Sequence, residues 1–365
     1  MPKATLPSGH TWAYVDANPT GKTTLLCLHG FPDLGYGFRL QIAPWARAGF
    51  RVVVPDMLGY GGSDAPVDAL EYTTKRLTSD LAALLTKLGV DRAVIVGHDW
   101  GAFTAGRFVL WHPERVITLI LMSVAHTQPA PQRLTLRDVV QRVPNYGYQL
   151  FLASDESPAL IEAKLPTFLS LIFAPAQFGI DFTTEGKLAR LLDSPRTEAR
   201  LSSNSIIKGD VLRAYTAAFT ARGLRGPTNY YRTTTLRYEE ESTANPPLHI
   251  ALPSKFPTLF IYGVIDPTLA DVALKSQRKL IPRLEETQIP NTGHWVLFEH
   301  SSYAEEPPAF LEEGTPDDPL AGWREKTSAG AWKEHKGDGG PVGRTVIQFL
   351  ANLGIDGKSV APAKL

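Results

Sequence analysis

The sequence predicts an α/β fold, a mostly parallel sheet with helices on both faces, and three observations carry that prediction. Short runs of β-branched residues alternate with helix-patterned stretches from Thr23 to Val124. The alternation stops near residue 127 and resumes at Thr258. Between them, Val94 to Ala102 (VIVGHDWGA) reads as a strand, a tight turn and the start of a helix.

The elements follow in order. TTLLCLHG (Thr23 to Gly30) is an apolar buried strand, and Tyr36 to Gly49 is amphipathic. RVVVPD (Arg51 to Asp56) is a second strand, ending in the glycine-rich turn MLGYGGSD. Leu77, Leu81, Leu84, Leu85 and Leu88 recur at helical spacing, so Thr73 to Leu88 is a helix that Gly89 ends. RAVIVGHD is a strand, Ala102 to Trp111 a helix and VITLILMSV a strand. Residues 127 to 252 read as helices and polar loops. Thr258 to Asp266 is the next strand, Leu269 to Ile281 a helix, and ETQIPNTGH a strand ending at His294. Thr345 to Leu353 reads as the last helix. The chain thus divides into a first core part (1–126), a helical cap insertion (127–252) and a second core part (253–365). The last part contains a Glu-, Asp-, Pro- and Gly-rich insertion at about 301–343, read as a solvated loop that Trp323 and Trp332 anchor.

Composition excludes several classes. The chain has 365 residues, 43% of them hydrophobic, enough for a large core. Lys and Arg total 37 and so do Asp and Glu, so no basic field favours nucleic acid or an anionic membrane. The single cysteine, Cys27, excludes an internal disulfide and sits in an apolar strand as inert core. No signal region opens the chain and no apolar run could span a bilayer. The expected compartment is cytoplasmic or peroxisomal, because Ala363-Lys364-Leu365 resembles the address S-K-L.

The chemistry centres on Asp99. Glycines flank it in Gly97-His98-Asp99-Trp100-Gly101, the form of the G-x-S-x-G nucleophile elbow with aspartate in place of serine. Serine attacking an alkyl carbon would form an ether and stop. A carboxylate forms an ester that water can cleave at the enzyme's own carbonyl, releasing an alcohol. Leu28 to Asp33 (LHGFPD) ends a strand, and Pro32 fixes its turn, through a cis bond. The backbone N–H groups of Phe31 and Trp100 are the expected oxyanion hole, and His29 is read as structural. His294 follows the last strand and is the expected general base; Asp266, after the preceding strand, orients it. The order nucleophile, acid, histidine is that of the α/β-hydrolase class. No metal or cofactor is expected.

Taken together, LHGFPD, DMLGYGGSDAP, GHDWGA, YGVIDP and TGHW resemble, in order, the motifs of the epoxide hydrolases of the α/β-hydrolase superfamily. The resemblance implies an α/β-hydrolase fold with a cap and conversion of a small lipophilic epoxide to a vicinal diol through a covalent Asp99 ester. It also implies two cap tyrosines that hold the epoxide oxygen. Tyr148 in YGYQLF matches the first, and Tyr231 in Asn229-Tyr230-Tyr231-Arg232 the second, with Tyr230 standing where the family has Trp. A phenol donates a hydrogen bond while staying protonated at neutral pH. Phe151, Leu152, Phe168, Leu169 and Phe173 read mostly as cap core. Two other readings compete. A haloalkane dehalogenase uses the same aspartate but needs a second nitrogen donor for halide, and residues 127–252 contain no tryptophan. A catalytically silent ligand-binding protein could share the fold.

Overall fold

The computed structural model describes residues 2–201, 205–299 and 313–357. Eight strands form one sheet: β1 (Lys3–Thr5), β2 (Thr11–Ala17), β3 (Thr24–Leu28), β4 (Arg51–Pro55), β5 (Ala93–His98), β6 (Val116–Met122), β7 (Thr258–Gly263) and β8 (Leu284–Ile289). Their order is β1-β2-β4-β3-β5-β6-β7-β8. The β1–β2 and β2–β4 pairings are antiparallel, and the other five are parallel. The parallel core is what the alternation predicts, and the arrangement is the one that the motif resemblance implies. β3, β5, β6 and β7 are buried along their whole length, which is why they read as continuous apolar runs.

α1 (Arg39–Arg47), α2 (Thr74–Lys87) and α3 (Trp100–Trp111) connect the first strands. α3 packs on β5 and β6 and against α2. Between β6 and β7 the described residues form helices and loops: α4 (Leu136–Arg142), α5 (Tyr148–Leu152), α6 (Ser157–Glu162), α7 (Leu165–Ile172), α8 (Lys187–Asp193), α9 (Pro195–Leu201), α10 (Gly209–Arg222), α11 (Arg225–Asn229) and α12 (Thr234–Ser242). α13 (Asp271–Leu280) separates β7 from β8, and α14 (Ala321–Ala329) and α15 (Gly340–Asn352) follow.

Three expectations need correction. The last strand does not run to His294: β8 stops at Ile289, and Asn291, at φ 54°, turns the chain so that His294 sits on a loop. The described part of the 301–343 insertion is no solvated loop. It holds α14 and the start of α15, and Trp323, Arg324 and Trp332 are buried. Arg324 ion-pairs with Asp56 and Asp318, which ties α14 beneath the β4 end of the sheet. Residues 301–312 of that insertion lie outside the described residues, as does Ala363-Lys364-Leu365. The third correction is a gain: β1 and β2 precede the first strand read from the sequence, and β2 (TWAYVDA) mixes polar with apolar residues. Among the described residues, no helix is long and apolar enough to cross a membrane.

Candidate active site

The elbow between β5 and α3 holds Asp99 at φ 54° and ψ −122°, a region side chains other than glycine seldom occupy. The surrounding backbone imposes it. A Cβ on Gly101 would stand 2.0 Å from the Leu28 carbonyl oxygen, and one on Gly30 would stand 2.2 Å from Asp99 Oδ1. The glycines therefore let β3, the elbow and the LHGFPD loop close on one another, and the Asp99 carboxylate is held among them.

Each oxygen of that carboxylate has a partner. The Phe31 N–H donates to Asp99 Oδ1 at 2.7 Å. Asp99 Oδ2 lies 3.3 Å from His294 Nε2. On the far side of the ring, His294 Nδ1 lies 2.8 Å from Asp266 Oδ2. Burial alone would push the His294 pKa down, but the charge and hydrogen bonds of Asp266 and Asp99 outweigh it and raise it to about 10. Burial pushes the Asp99 pKa up, and His294, with help from the Phe31 N–H, turns the balance so that it falls below the usual carboxylate value. The resting site is thus a carboxylate–imidazolium–carboxylate chain.

Four neighbours whose part sequence reasoning missed fix His294 and its loop. Thr268 donates from its backbone and hydroxyl to Asp266 Oδ1, each at 2.8 Å, and its hydroxyl lies 3.0 Å from His294 Nδ1. The His294 carbonyl accepts from the Ser123 hydroxyl at 2.7 Å and from His98 Nε2 at 2.9 Å. Glu299 accepts the Gly293 N–H at 2.8 Å. Thr268 stands two residues after Asp266, so a short-range signal existed; the others converge only in three dimensions.

A cavity of about 310 Å³ opens over Asp99 and His294, with Tyr148, Tyr231, Phe31 and Trp295 among its walls. Tyr148 begins α5, and Tyr231 lies in the turn Tyr230–Arg232; their rings stand 6.3 Å apart, edge to face. Burial, then neighbouring charge including Asp99, pushes both phenols well above their usual pKa, so both stay protonated. Tyr230 is placed differently: its hydroxyl donates to the Leu58 carbonyl at 3.0 Å, and its ring packs against Tyr60 and Tyr72. Trp100 sits beside Tyr231, ring centroids 5.2 Å apart. Its backbone N–H, at the first position of α3, makes no hydrogen bond to the Asp99 carboxylate, which is turned toward Phe31 and His294. The Phe31–Pro32 peptide is cis, and His29 is buried with Nδ1 bonded to the Gly30 carbonyl and Nε2 accepting the Met57 N–H. Leu152 reaches the cavity, whereas Phe168, Leu169 and Phe173 are core.

Comparison with known proteins gives a consistent picture. A family model for the alpha/beta hydrolase fold matches residues 23–301. Epoxide hydrolase of Caballeronia sordidicola is 32% identical over 80% of this chain and 88% of its own length. Epoxide hydrolase A of Mycobacterium tuberculosis is 30% identical over 77% of this chain and 88% of its own length. Bifunctional epoxide hydrolase 2 of Rattus norvegicus is 28% identical over 82% of this chain but only 55% of its own length; the chain spans about half of that relative. Among solved structures, Epoxide Hydrolase A from Mycobacterium thermoresistibile superposes with a TM-score of 0.70 at 26% identity, over 82% of this chain and 93% of that one.

Proposed function

Because the chain belongs to the epoxide hydrolases of the alpha/beta hydrolase fold, we propose that it converts a small lipophilic epoxide to a vicinal diol through an ester on Asp99. The observation that carries this reading is the elbow carboxylate facing two protonated, buried tyrosines across a cavity, with His294 at its other oxygen. The helices from Leu136 to Ser242 act as the cap that excludes water, and Tyr148 and Tyr231 hold the epoxide oxygen so that a ring carbon faces Asp99.

In the first step, an Asp99 oxygen attacks that carbon. The carbon–oxygen bond of the ring breaks, and the oxygen takes a proton from a tyrosine, which is replenished from the His294 imidazolium. The ester no longer carries the Asp99 charge. One of the two carboxylates that raised the His294 pKa is gone, so the ring becomes a neutral base at the stage that needs one. His294 then takes a proton from water, and the resulting hydroxide attacks the ester carbonyl. The N–H groups of Phe31 and Trp100 hold the oxyanion. Collapse expels the diol oxygen, which takes the proton of the added hydroxyl, and leaves the Asp99 carboxylate beside the imidazolium. Asp266 and Thr268 keep the ring aligned throughout.

In this route the attacking Asp99 oxygen leaves in the diol and the water oxygen stays on the enzyme. A single turnover in ¹⁸O-water with enzyme in excess should give an unlabelled diol and a labelled Asp99 peptide. Label in the first diol, with Asp99 unlabelled, would mean that His294 sends water directly to the epoxide. Halide release would need a second nitrogen donor beside Trp100, and the other tryptophan at the cavity, Trp295, gives its indole N–H to the Ile172 carbonyl at 2.8 Å.

A further inference from the structure

Asp99 stands between two cavities. The second, of about 240 Å³, shares Asp99, Tyr148 and Thr268 with the first and leads past Trp100 and Phe103 to Arg107, Arg237 and Glu241. Two guanidinium groups and one carboxylate at one internal wall leave a net charge of one positive unit. The two arginines are not equivalent. Arg107 is fully engaged: its Nε donates to Glu241 Oε1 at 2.7 Å, and its terminal nitrogens donate to the carbonyls of Thr127 and Gln128. Glu241 is therefore already matched.

Arg237 is held by its stem and left open at its tip. Its Nε donates to the Thr233 hydroxyl at 3.1 Å. Among the described residues, its two terminal nitrogens have no hydrogen-bond partner and it forms no ion pair with a carboxylate. Its guanidinium lies 4.5 Å from the Phe103 ring centre and 5.7 Å from that of Trp100, which fixes it against the cavity wall. Burial pushes its pKa down to about 10, so it remains a cation at neutral pH. Arg237 is half-buried and lines the cavity, so its terminal donors are free to pair with an anion that enters it.

We propose that this arm receives the carboxylate of the substrate, so that the enzyme acts on epoxides carrying an acid group a few carbons from the ring. The net charge of one unit matches a carboxylate rather than a phosphate dianion, and the planar fork suits two parallel bonds to its oxygens. The spacer is short because Arg237 packs on Trp100, the residue next to Asp99. The remaining hydrocarbon of the substrate would extend into the first cavity. This proposal rests on the epoxide hydrolase reading and narrows its substrate class.

The test compares epoxyalkanoates of increasing spacer length with their methyl esters. The acid should exceed its ester in kcat/KM by about tenfold or more at the best spacer, the size of a charge-assisted hydrogen-bonded pair. Arg237→Gln should bring that ratio close to one, and Arg237→Lys should keep part of it. Equal turnover of acid and ester by the wild type would overturn the proposal. So would an Arg237→Gln protein that loses both substrates equally, since that marks a structural role. Titration calorimetry with hexanoate and hexan-1-ol keeps the question separate from catalysis. The wild type should bind hexanoate in preference to the alcohol, and Arg237→Gln should not. Hexanoate binding without turnover of any epoxide would refute the proposed reaction and leave the anion site standing. Turnover of neutral epoxides with no hexanoate binding would do the reverse. If Arg237→Gln does not fold, the wild-type ratio and titration still decide.

Discussion

His294 ties the residue-scale chemistry together, because its charge depends on what Asp99 is bonded to. His294→Gln leaves the proposed nucleophile, Asp99, in place but removes the base proposed to activate water. Mixing that variant with an epoxide should produce a protein heavier by one substrate, seen by intact mass, with no further turnover; normal turnover with no adduct would remove His294 from the mechanism. Asp33, in the same loop as Phe31, offers a second test. Burial raises its pKa from the ordinary 3.8 to about 7, although the Tyr215 hydroxyl donates to it at 2.6 Å and the Leu34 N–H at 2.8 Å. Since the folded pKa is above the unfolded one, folding favours the protonated acid. Its contribution to stability is complete below roughly pH 4, is lost as pH rises toward 7, and stays lost above that. Asp33→Asn should therefore melt higher than the wild type at pH 8, by at most about 4 kcal/mol, and match it at about pH 4. Thermal melts at the two pH values check this, and a difference independent of pH would contradict it. Asp99, Asp266 and His294 were legible because each follows a strand, directly or after a short loop, in a fixed order, whereas Arg237, Glu299 and Ser123 gain meaning only from segments the fold brings together.

At the scale of elements, α5 and the turn after α11 together present the two phenols to the first cavity. If both hold the epoxide oxygen, Tyr148→Phe and Tyr231→Phe should each slow formation of the Asp99 ester by on the order of 10²-fold, and the double variant should lose nearly all of it. Single-turnover ester formation measures this directly. Tyr230→Phe should have a much smaller effect, since that hydroxyl is committed to Leu58; the opposite ranking would exchange their roles. The elements themselves were legible where burial is complete on both faces, as in β3 and β5 to β7. β8 misled because it lies at the sheet edge: LEETQI is mostly polar, and no apolar run marks where it begins or stops. α14 was hidden for a different reason. Its residues look solvent-loving, and its buried guanidinium, Arg324, is stabilised by carboxylates from Asp56 and nearby Asp318 rather than by an apolar face.

For the whole molecule, that cluster joins the second half of the chain to the first. Asp56 accepts the N–H groups of Gly35 and Gly62, each at 3.0 Å, as well as Arg324. Arg324→Met would leave the buried Asp56 carboxylate without its cation and Asp318 with Lys3 alone, 3.0 Å away, and should cost about 3–5 kcal/mol, measured by urea unfolding. A loss under about 1 kcal/mol would show that water replaces the guanidinium there.

The closure recurs at the opposite margin of the sheet core. The Thr23 hydroxyl donates to the carbonyl of Asp356, 333 residues away, and the Lys22 N–H donates to Gly357. The Asp16 N–H donates to the Ser328 hydroxyl at 3.0 Å, 312 residues away. A ribosome synthesising this chain releases the first strands long before the residues that complete their surroundings exist. During that interval β2 and β3 lack their final neighbours, and their apolar flanks remain available to chaperones or to other nascent chains. Contacts of such long sequence separation make folding slow. Expression yield should therefore respond to synthesis temperature and chaperone supply more than the stability of the finished enzyme would suggest.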